Sequence, residues 1–357
     1  MDVVAFVAGG FLLALALWDM FETIVVPRPT PGWFRIGRYI VRGSWRVLRV
    51  FRNGRSGQVH DRVLGFFAPA ATLALLAAWL LTLIVGYGLI MWALRDELSP
   101  VPTDLGTALY FSATSLLTIG FGDIVATAAP ARIVIVIAAV TGLGTVALVV
   151  TFLFSLYASY QRREVQVVAL QAAAGAPPSA IALLESYARL GMVDRLPALF
   201  AKWEGWAAEV LDTHVAYPLL GYFRSSHDNL SWISALGTML DASSLVLTTV
   251  CDVPRGEAKL FKRVGAHLVE DISNLGFRAG RPASIARADF DAACDRLEEA
   301  GYELEERDVA WPMFEAARAT YADRLEAMAD YWATPATQWL GDPVALRSPV
   351  HREEDDQ

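Results

Sequence analysis

The stretch Thr118-Ile119-Gly120-Phe121-Gly122-Asp123 decides the fold of this chain of 357 residues. It lies between two long apolar segments, residues 64–94 and 131–158, and it directly follows a short amphipathic segment, residues 104–117. Two glycines alternate in it with larger residues, and an acid closes it. In this setting the stretch predicts a loop that dips into a membrane and returns to the side from which it came.

The flanking segments predict the membrane topology of this region. Residues 64–94 carry no charge and exceed the ~20 residues with which a helix crosses a bilayer, so we expect tilt or protrusion. Residues 104–117, with Asp104 as the predicted N-cap, are too short to cross and indicate a re-entrant helix. The second span, residues 131–158, is followed by arginines at 162–163, which favour the cytoplasm. The loop between the two spans therefore faces outward.

The backbone of the stretch predicts a cation filter. A potassium ion sheds its water in a narrow pore, and rings of backbone carbonyl oxygens replace that water. Successive carbonyls point the same way only where some residues take dihedrals that a Cβ disfavours, and Gly120 and Gly122 take them freely. We expect Ile119 and Phe121 to point outward and brace the strand against the short helix. The predicted potassium ligands are Thr118, Ile119, Gly120 and Phe121, with the Thr118 hydroxyl innermost.

Two neighbours of these ligands support the same interpretation. Asp123 stands at the outer mouth, where a carboxylate forms hydrogen bonds behind the filter and concentrates cations. The C-terminal end of the short helix carries a partial negative charge that favours a cation on the pore axis. The alternative is an extracellular glycine-bearing loop without ion chemistry.

Tyr110-Phe111-Ser112, followed by Thr118 to Asp123, resembles the pore segment of tetrameric potassium channels. These are of the prokaryotic type, with two pore-lining helices and one re-entrant loop per subunit, and the resemblance covers about residues 64–160. One loop supplies one quarter of a filter, and the chain has no second copy. The resemblance therefore implies a homotetramer around a fourfold axis, with potassium as the permeant ion.

The resemblance also implies a gating hinge. An inner-helix glycine follows the first filter glycine at a fixed interval in that family, and Gly142 occupies this position, with Gly144 close by. The alternative is close packing of small residues between membrane helices. Three apolar residues spaced four apart are expected to line the cavity and to close it by dewetting: Val146, Val150 and Phe154.

Three residues depart from the family pattern. Phe121 stands where Tyr is commoner, Leu117 where a second Thr is frequent, and Thr114 where some relatives keep a buried Glu. We expect these changes to leave selectivity intact and to alter the rigidity of the filter.

The first 63 residues predict a membrane anchor. Residues 3–26 are apolar apart from Asp19 and Glu22, and we interpret them as an uncleaved helix rather than a signal peptide because basic residues follow them. Arginines at spacings of three and four then predict a basic amphipathic helix on anionic lipid: Arg35, Arg38, Arg42, Arg46 and Arg49.

The alternative for this basic segment is a voltage sensor. Arg46, Arg49, Arg52 and Arg55 recur at every third residue, and a sensor needs acidic partners in neighbouring spans. The two interpretations place the N-terminus on opposite sides of the membrane, and an interfacial helix leaves it outside.

The second half of the chain differs in composition. Mean hydropathy is +0.38 overall, but residues 165–357 carry 17 basic and 29 acidic side chains and read as a water-facing domain. Amphipathic runs predict helices at residues 178–190, 196–211, 284–301 and 311–332. Residues 230–251 predict a buried core helix rather than another span. Cys251 and Cys294 show neither a disulfide framework nor a zinc pattern.

Two clusters in this half are candidates for a ligand. His267, Glu270 and Asp271 share a helix face that suits a metal or, alternatively, only solvent. Arg224, Ser225 and Ser226 form either an anion site or part of a packed turn between helices.

The predicted fold is an all-α membrane protein with a potassium-channel pore domain. Residues 1–63 form the anchor and basic helix, residues 64–163 the pore domain, and residues 164–357 a cytosolic helical domain for regulation or assembly. We predict a potassium-selective channel of the cell membrane that is gated from the cytosolic domain, binds membrane lipid and an unidentified cytosolic ligand, and uses no enzymatic chemistry, nucleic acid or cofactor. The alternatives are a non-selective cation channel and a non-conducting sensor subunit.

Overall fold

The computed structural model describes residues 2–26, 36–50, 58–225, 227, 229–274, 283–334, 337–342 and 344. These residues belong to two compact units, Met1–Ala158 and Ser159–Gln357. In the described ranges the helices are α1 (Val3–Ile24), α2 (Ile36–Val50), α3 (Gln58–Ala93), α4 (Leu105–Leu116), α5 (Ala129–Ala174), α6 (Ala180–Arg189), α7 (Leu196–Ala216), α8 (Trp232–Thr248), α9 (Gly256–Ser273), α10 (Arg287–Ala300), α11 (Arg307–Ala319) and α12 (Ala322–Trp332). Short 3₁₀ turns lie at Arg95–Glu97, Val193–Arg195 and Pro218–Tyr222.

Three of the described helices are long and apolar enough to cross a membrane. They are α1, the Leu64–Ala93 part of α3, and α5, and they confirm the predicted all-α membrane fold. Helix α5 has 46 residues and runs well past the predicted end of its span at residue 158. The boundary between the two compact units falls at Ala158 and Ser159, five residues before the predicted domain boundary.

Helix α1 packs closely along α3. A Cβ added to Gly9 would lie 2.5 Å from the Gly86 carbonyl oxygen, so glycine at this position permits the approach of the two backbones. Nearer the other end of α1, the buried Asp19 carboxylate accepts a hydrogen bond of 2.6 Å from the Trp79 indole N–H. A buried acid in a membrane helix needs such a partner, and an aromatic donor on α3 supplies it.

Helix α2 also packs on α3, through its apolar face. Trp45 is buried, and its ring centroid lies 4.8 Å from that of Phe67. The described part of the helix has 15 residues. An apolar face on α3 is compatible with the basic amphipathic helix, and the choice between that helix and a spanning voltage sensor stays a prediction.

Two short strands, absent from the sequence prediction, lie in the segment between α3 and α5. Strand β1 (Leu98–Ser99) pairs antiparallel with β2 (Val125–Ala126). The pairing brings the segment after α3 against the segment before α5.

The second unit surrounds one apolar helix. Nearly every residue of α8 is buried, which confirms the predicted core helix at residues 230–251. The runs predicted at 178–190, 196–211 and 284–301 correspond to α6, α7 and α10. The fourth predicted run, residues 311–332, is divided between α11 and α12 because the chain turns at Thr320 and Tyr321.

Candidate functional site

Helix α4 is held in place at its start and along its length. Asp104 is its N-cap, as predicted, and accepts hydrogen bonds from the backbone N–H and the hydroxyl of Thr107 at 2.9 and 2.8 Å. The Ser112 hydroxyl donates to the Ile84 carbonyl of α3 at 2.9 Å. These contacts fix the direction in which the C-terminal end of the helix points.

The six-residue stretch directly follows the C-terminal end of α4. The sign of φ alternates along its backbone. The φ angles are +54° at Thr118, +57° at Gly120 and +79° at Gly122, whereas Ile119 and Phe121 lie outside the positive region. In an extended strand successive carbonyls point in alternate directions. A positive φ at every second residue allows these carbonyls to face one side. Glycine accepts a positive φ without steric cost, but Thr118 accepts it with strain.

Backbone hydrogen bonds to α4 hold this strained start of the stretch. The Thr114 carbonyl accepts from the N–H groups of Ile119 and Gly120 at 2.8 and 3.2 Å, and the Ser115 carbonyl accepts from Thr118 N–H at 3.1 Å. The N–H groups are thus turned toward the helix, which leaves the carbonyls free to face the opposite way.

Thr114 itself is buried behind the stretch. Its hydroxyl donates to the Phe111 carbonyl at 3.1 Å, within its own helix. The hydroxyl proton at this position is therefore used within α4.

The side chains of Ile119 and Phe121 do not pack behind the stretch within one chain. They are 51% and 69% exposed, in contrast to the predicted bracing against α4. The outer end of the stretch is braced by a different side chain, since the Tyr110 hydroxyl donates to Asp123 Oδ2 at 2.9 Å. More than half of the surface of each side chain is therefore left uncovered by the described residues.

The outer strands connect the loop to the start of α5. Thr127 N–H donates to the Glu97 carbonyl at 2.8 Å, and the Glu97 carboxylate accepts from Ala131 N–H in the first turn of α5 at 3.1 Å. A carboxylate at a helix N-terminus satisfies a free N–H group and interacts favourably with the helix dipole. Glu97 carries no local sequence signal for this role, because the helix that it caps begins some thirty residues further along the chain.

The two candidate hinge glycines occupy different environments. A Cβ added to Gly142 would lie 1.7 Å from the Leu116 carbonyl oxygen at the end of α4. A Cβ added to Gly144 meets no atom of the described chain within 4 Å. Close packing alone therefore explains a glycine at 142, and the hinge stays a prediction at both positions.

The predicted cavity residues share an exposed face of α5. Val146, Val150 and Phe154 are all exposed in the single chain, Phe154 by 73%. Exposure on one face is compatible with a lining role, which the isolated chain does not test.

The predicted basic helix is described only in part. Arg35 and the side chain of Arg38 lie outside the described residues, as do Arg52 and Arg55. Arg42, Arg46 and Arg49 lie on α2, and Arg46 is exposed while its neighbour Trp45 is buried. The helix therefore has a packed face and a basic face.

The two clusters predicted in the second unit form contacts with other parts of that unit. His267 lies 3.6 Å from Asp271, while Glu270 pairs with Arg324 of α12 at 3.3 Å. The Arg224 guanidinium donates to the backbone carbonyls of Trp332 and Ala333. Ser226, the third member of the predicted anion site, lies outside the described residues.

Comparison with known families agrees with this geometry. Residues 74–159 match the model of a family described as an ion channel, and they include α4, the six-residue stretch and the first part of α5. No curated protein and no solved structure gave a significant match to the chain. The match supports an ion-channel pore domain in residues 74–159, which make up about a quarter of the chain.

Proposed function

We propose that the chain is a potassium-selective channel, with residues 118–123 as its filter and α5 as its pore-lining helix. The observation that carries the proposal is the alternation of φ along Thr118, Gly120 and Gly122, with the N–H groups of Thr118, Ile119 and Gly120 bonded to α4. Such a backbone allows successive carbonyl oxygens to face one side, and carbonyl rings of this kind dehydrate potassium. The ligand positions are Thr118, Ile119, Gly120 and Phe121.

The proposed assembly is a homotetramer in the cell membrane, with the C-terminal unit in the cytoplasm. One chain supplies one carbonyl per ring, and a ring around a central ion needs several copies. The exposed Ile119, Phe121 and Phe154 side chains support the same conclusion, because large apolar groups beside a polar backbone need protein or lipid around them. Gating is assigned to α5 near Gly142 and Gly144, under the control of the cytosolic unit.

The test is the reversal potential of purified protein in liposomes with potassium on one side and sodium on the other. A selective pore gives a reversal potential close to the potassium equilibrium value. A potential near zero would favour a non-selective cation channel, and an absence of flux would favour a non-conducting subunit.

One variant with a matched control makes the test specific for the filter backbone. Gly122→Ala places a Cβ on a residue with φ of +79°, whereas Gly191→Ala does the same at φ of +64° in a turn of the cytosolic unit. An added Cβ meets no described atom within 4 Å at either position, so the two substitutions impose similar backbone strain of about 1 kcal/mol. Gly122→Ala should lower potassium selectivity, and Gly191→Ala should leave it unchanged. Equal selectivity in both variants would contradict the assignment.

We also assign the exposed basic face of α2 to anionic lipid. Arg46 projects from this face beside the buried Trp45, and each such arginine near an anionic surface contributes about 1 kcal/mol. Binding of the protein to anionic vesicles should weaken with Arg46→Gln and with rising salt.

A further inference from the structure

We propose that Arg163 and His214 form a proton-sensitive clamp on the cytosolic part of α5, and that acid releases it. The inference deepens the proposed function, because it assigns a stimulus to the helix that is proposed to line the pore. The clamp lies entirely within the second compact unit.

Arg163 is a buried cation on an apolar helix stripe. Its side chain is 1% exposed, and the buried residues Leu156, Val167 and Leu170 follow the same spacing of three and four along α5. A guanidinium at such a position is stable only when its charge and its donors are satisfied.

All five N–H donors of this guanidinium are used. Glu164 Oε1 accepts from Nε at 3.2 Å and from Nη2 at 3.0 Å. The backbone carbonyls of Leu220 and Phe223 accept at 2.9 and 2.7 Å. The fifth contact joins Nη1 to His214 Nε2 at 3.1 Å. An arginine has five donors and no acceptor, so His214 Nε2 has to be the acceptor.

The other ring nitrogen fixes the tautomer of His214. His214 Nδ1 lies 2.9 Å from the Val210 carbonyl oxygen, and this oxygen only accepts. The proton is therefore on Nδ1, and Nε2 carries the lone pair that Arg163 requires. The arrangement holds only while the imidazole is neutral.

The surroundings keep it neutral at ordinary pH. Burial first, and the Arg163 charge second, hold the pKa of His214 well below its usual value of 6.5, while the hydrogen bond to Val210 acts in the opposite direction. From α8, the uncharged Trp232 ring faces His214 at 4.9 Å. From α5, the facing charged groups are Arg163 and its counter-ion Glu164, with Tyr160 stacked near the guanidinium at 5.4 Å.

Protonation reverses the contact. A proton on Nε2 would place two donors and two positive charges 3.1 Å apart in a site closed to water. The folded pKa is depressed, so the stabilising contribution of the neutral pair is complete above the ordinary histidine value. It is lost as pH falls below that value toward the folded pKa.

The clamp holds α5 to three other segments. The guanidinium joins it to α7 through His214 and to the Pro218–Tyr222 turn and its flank through the two carbonyls. The Trp206 indole N–H of α7 also donates to the Arg163 carbonyl at 3.1 Å. Loss of the Arg163–His214 contact therefore frees the helix that the proposed function places at the gate.

The experiment measures potassium flux of the full-length protein in liposomes at about pH 8 and about pH 5, on either side of the usual histidine titration. For the unaltered chain we expect the potassium flux to differ by about fivefold or more between the two pH values, in either direction. A factor of about five is the lower end of the coupling commonly found between two sites. His214→Gln keeps an amide oxygen for Arg163 and has no titration, so the pH response should be lost. His267→Gln, at an exposed histidine, is the matched control and should keep the response.

Two further variants separate the groups of the clamp. Glu164→Gln removes the other titratable group on the guanidinium and should keep the response. Arg163→Met removes the clamp, so its flux at about pH 8 should equal that of the unaltered chain at about pH 5. A response that survives His214→Gln, or one that is lost only with Glu164→Gln, overturns the proposal.

A second readout separates failure of the clamp from failure of the channel assignment. An absence of flux at every pH counts against the proposed function alone. The clamp is then judged by the apparent thermal midpoint of the purified protein in detergent, which should fall less for His214→Gln than for the unaltered chain between about pH 8 and about pH 5. Equal falls for the two proteins overturn the clamp.

Discussion

The pore unit, Met1–Ala158, and the second unit, Ser159–Gln357, which is proposed to be cytosolic and is called the cytosolic unit, bury their apolar residues in opposite ways. Along α5 the pore unit leaves Ile133, Val140 and Leu143 exposed, together with the side chains of its filter stretch. The cytosolic unit encloses α8 almost completely and adds charged side chains to its core. A chain with both patterns covers the apolar residues of one unit by itself. The exposed apolar residues of the other unit are left for lipid and, in the proposed tetramer, for further copies of the chain.

The difference predicts where single substitutions act on folding and where they act on conduction. In the cytosolic unit, a buried charge depends on a partner in the same chain. In the pore unit, geometry at the filter depends on the close approach of helices. The following predictions test this division, beginning with the largest expected effect.

Removal of one buried charge should destabilise the cytosolic unit strongly. Asp241, buried in α8, accepts from Arg318 Nε at 3.1 Å and from the Tyr321 hydroxyl at 2.6 Å. Arg318→Met leaves the carboxylate without its cation, at a cost of about 3–5 kcal/mol in the free energy of unfolding. Burial already raises the pKa of Asp241, and Arg318 lowers it. The cost should therefore shrink in acid, where the carboxyl is protonated and needs no cation.

The measurement uses the two cysteines as probes. Cys251 is exposed, so its reaction with a thiol reagent shows that the reagent is active. Cys294 is buried, and burial raises its pKa to about 11. Urea should make Cys294 reactive at a lower concentration in Arg318→Met. The control is Arg324→Met, which removes an exposed pair with Glu270 and should cost less than about 1 kcal/mol. Equal shifts for both variants would contradict the division between buried and exposed pairs.

Substitution of two neighbouring glycines in the pore unit, Gly142 and Gly144, should have different effects on conduction. Gly142→Ala places a Cβ against the Leu116 carbonyl, so the end of α4 has to move, at a cost of about 1–3 kcal/mol. Gly144→Ala meets no described atom and removes only helix flexibility. We expect Gly142→Ala to lower potassium selectivity and Gly144→Ala to alter only the fraction of time that the pore is open.

Single-channel recording distinguishes these two effects, since selectivity and open probability are measured in the same trace. Unchanged selectivity in Gly142→Ala would show that selectivity does not depend on the close approach of Gly142 to the end of α4. The hinge would then be the remaining role proposed for Gly142.

The limits of sequence reasoning follow the same division. Asp104 as a cap and α8 as a core helix were predictable because each depends on a local pattern. The positive φ of Thr118 was not predictable, because a β-branched residue adopts that angle only where hydrogen bonds such as those to the Thr114 and Ser115 carbonyls of α4 hold it. Strands β1 and β2 were missed because two residues each are too short for a periodic signal.

The buried Arg163 had a signal that was not used. Charged residues at the end of a span favour the cytoplasm, and Arg162 and Arg163 were interpreted together on that basis. The two arginines lie on different faces of the helix. Arg163 continues the apolar spacing of Leu156 and Val167, whereas Arg162 does not. A charge within a continuing apolar stripe indicates a buried pair, and His214 was the missing partner.

The smallest expected effect concerns the outer mouth of the filter. Tyr110→Phe removes the exposed hydrogen bond from the Tyr110 hydroxyl to Asp123 Oδ2. The first contact to weaken is the one that holds the outer end of the stretch to α4. We therefore expect conductance to decline sooner during sustained opening, with selectivity at the start of each opening unchanged.

Asp123→Asn is the matched variant for the charge at the same place. The amide oxygen still accepts from Tyr110, but the negative charge that concentrates cations is removed. The conductance of Asp123→Asn should be reduced at low salt. It should approach that of the unaltered chain in about 1 M salt, where the Debye length is about 3 Å and the charge of Asp123 is screened. A decline during sustained opening that appears in Asp123→Asn and not in Tyr110→Phe would assign the stability of the outer mouth to charge. The opposite pattern assigns it to the hydrogen bond, and with it to the fixed direction of α4.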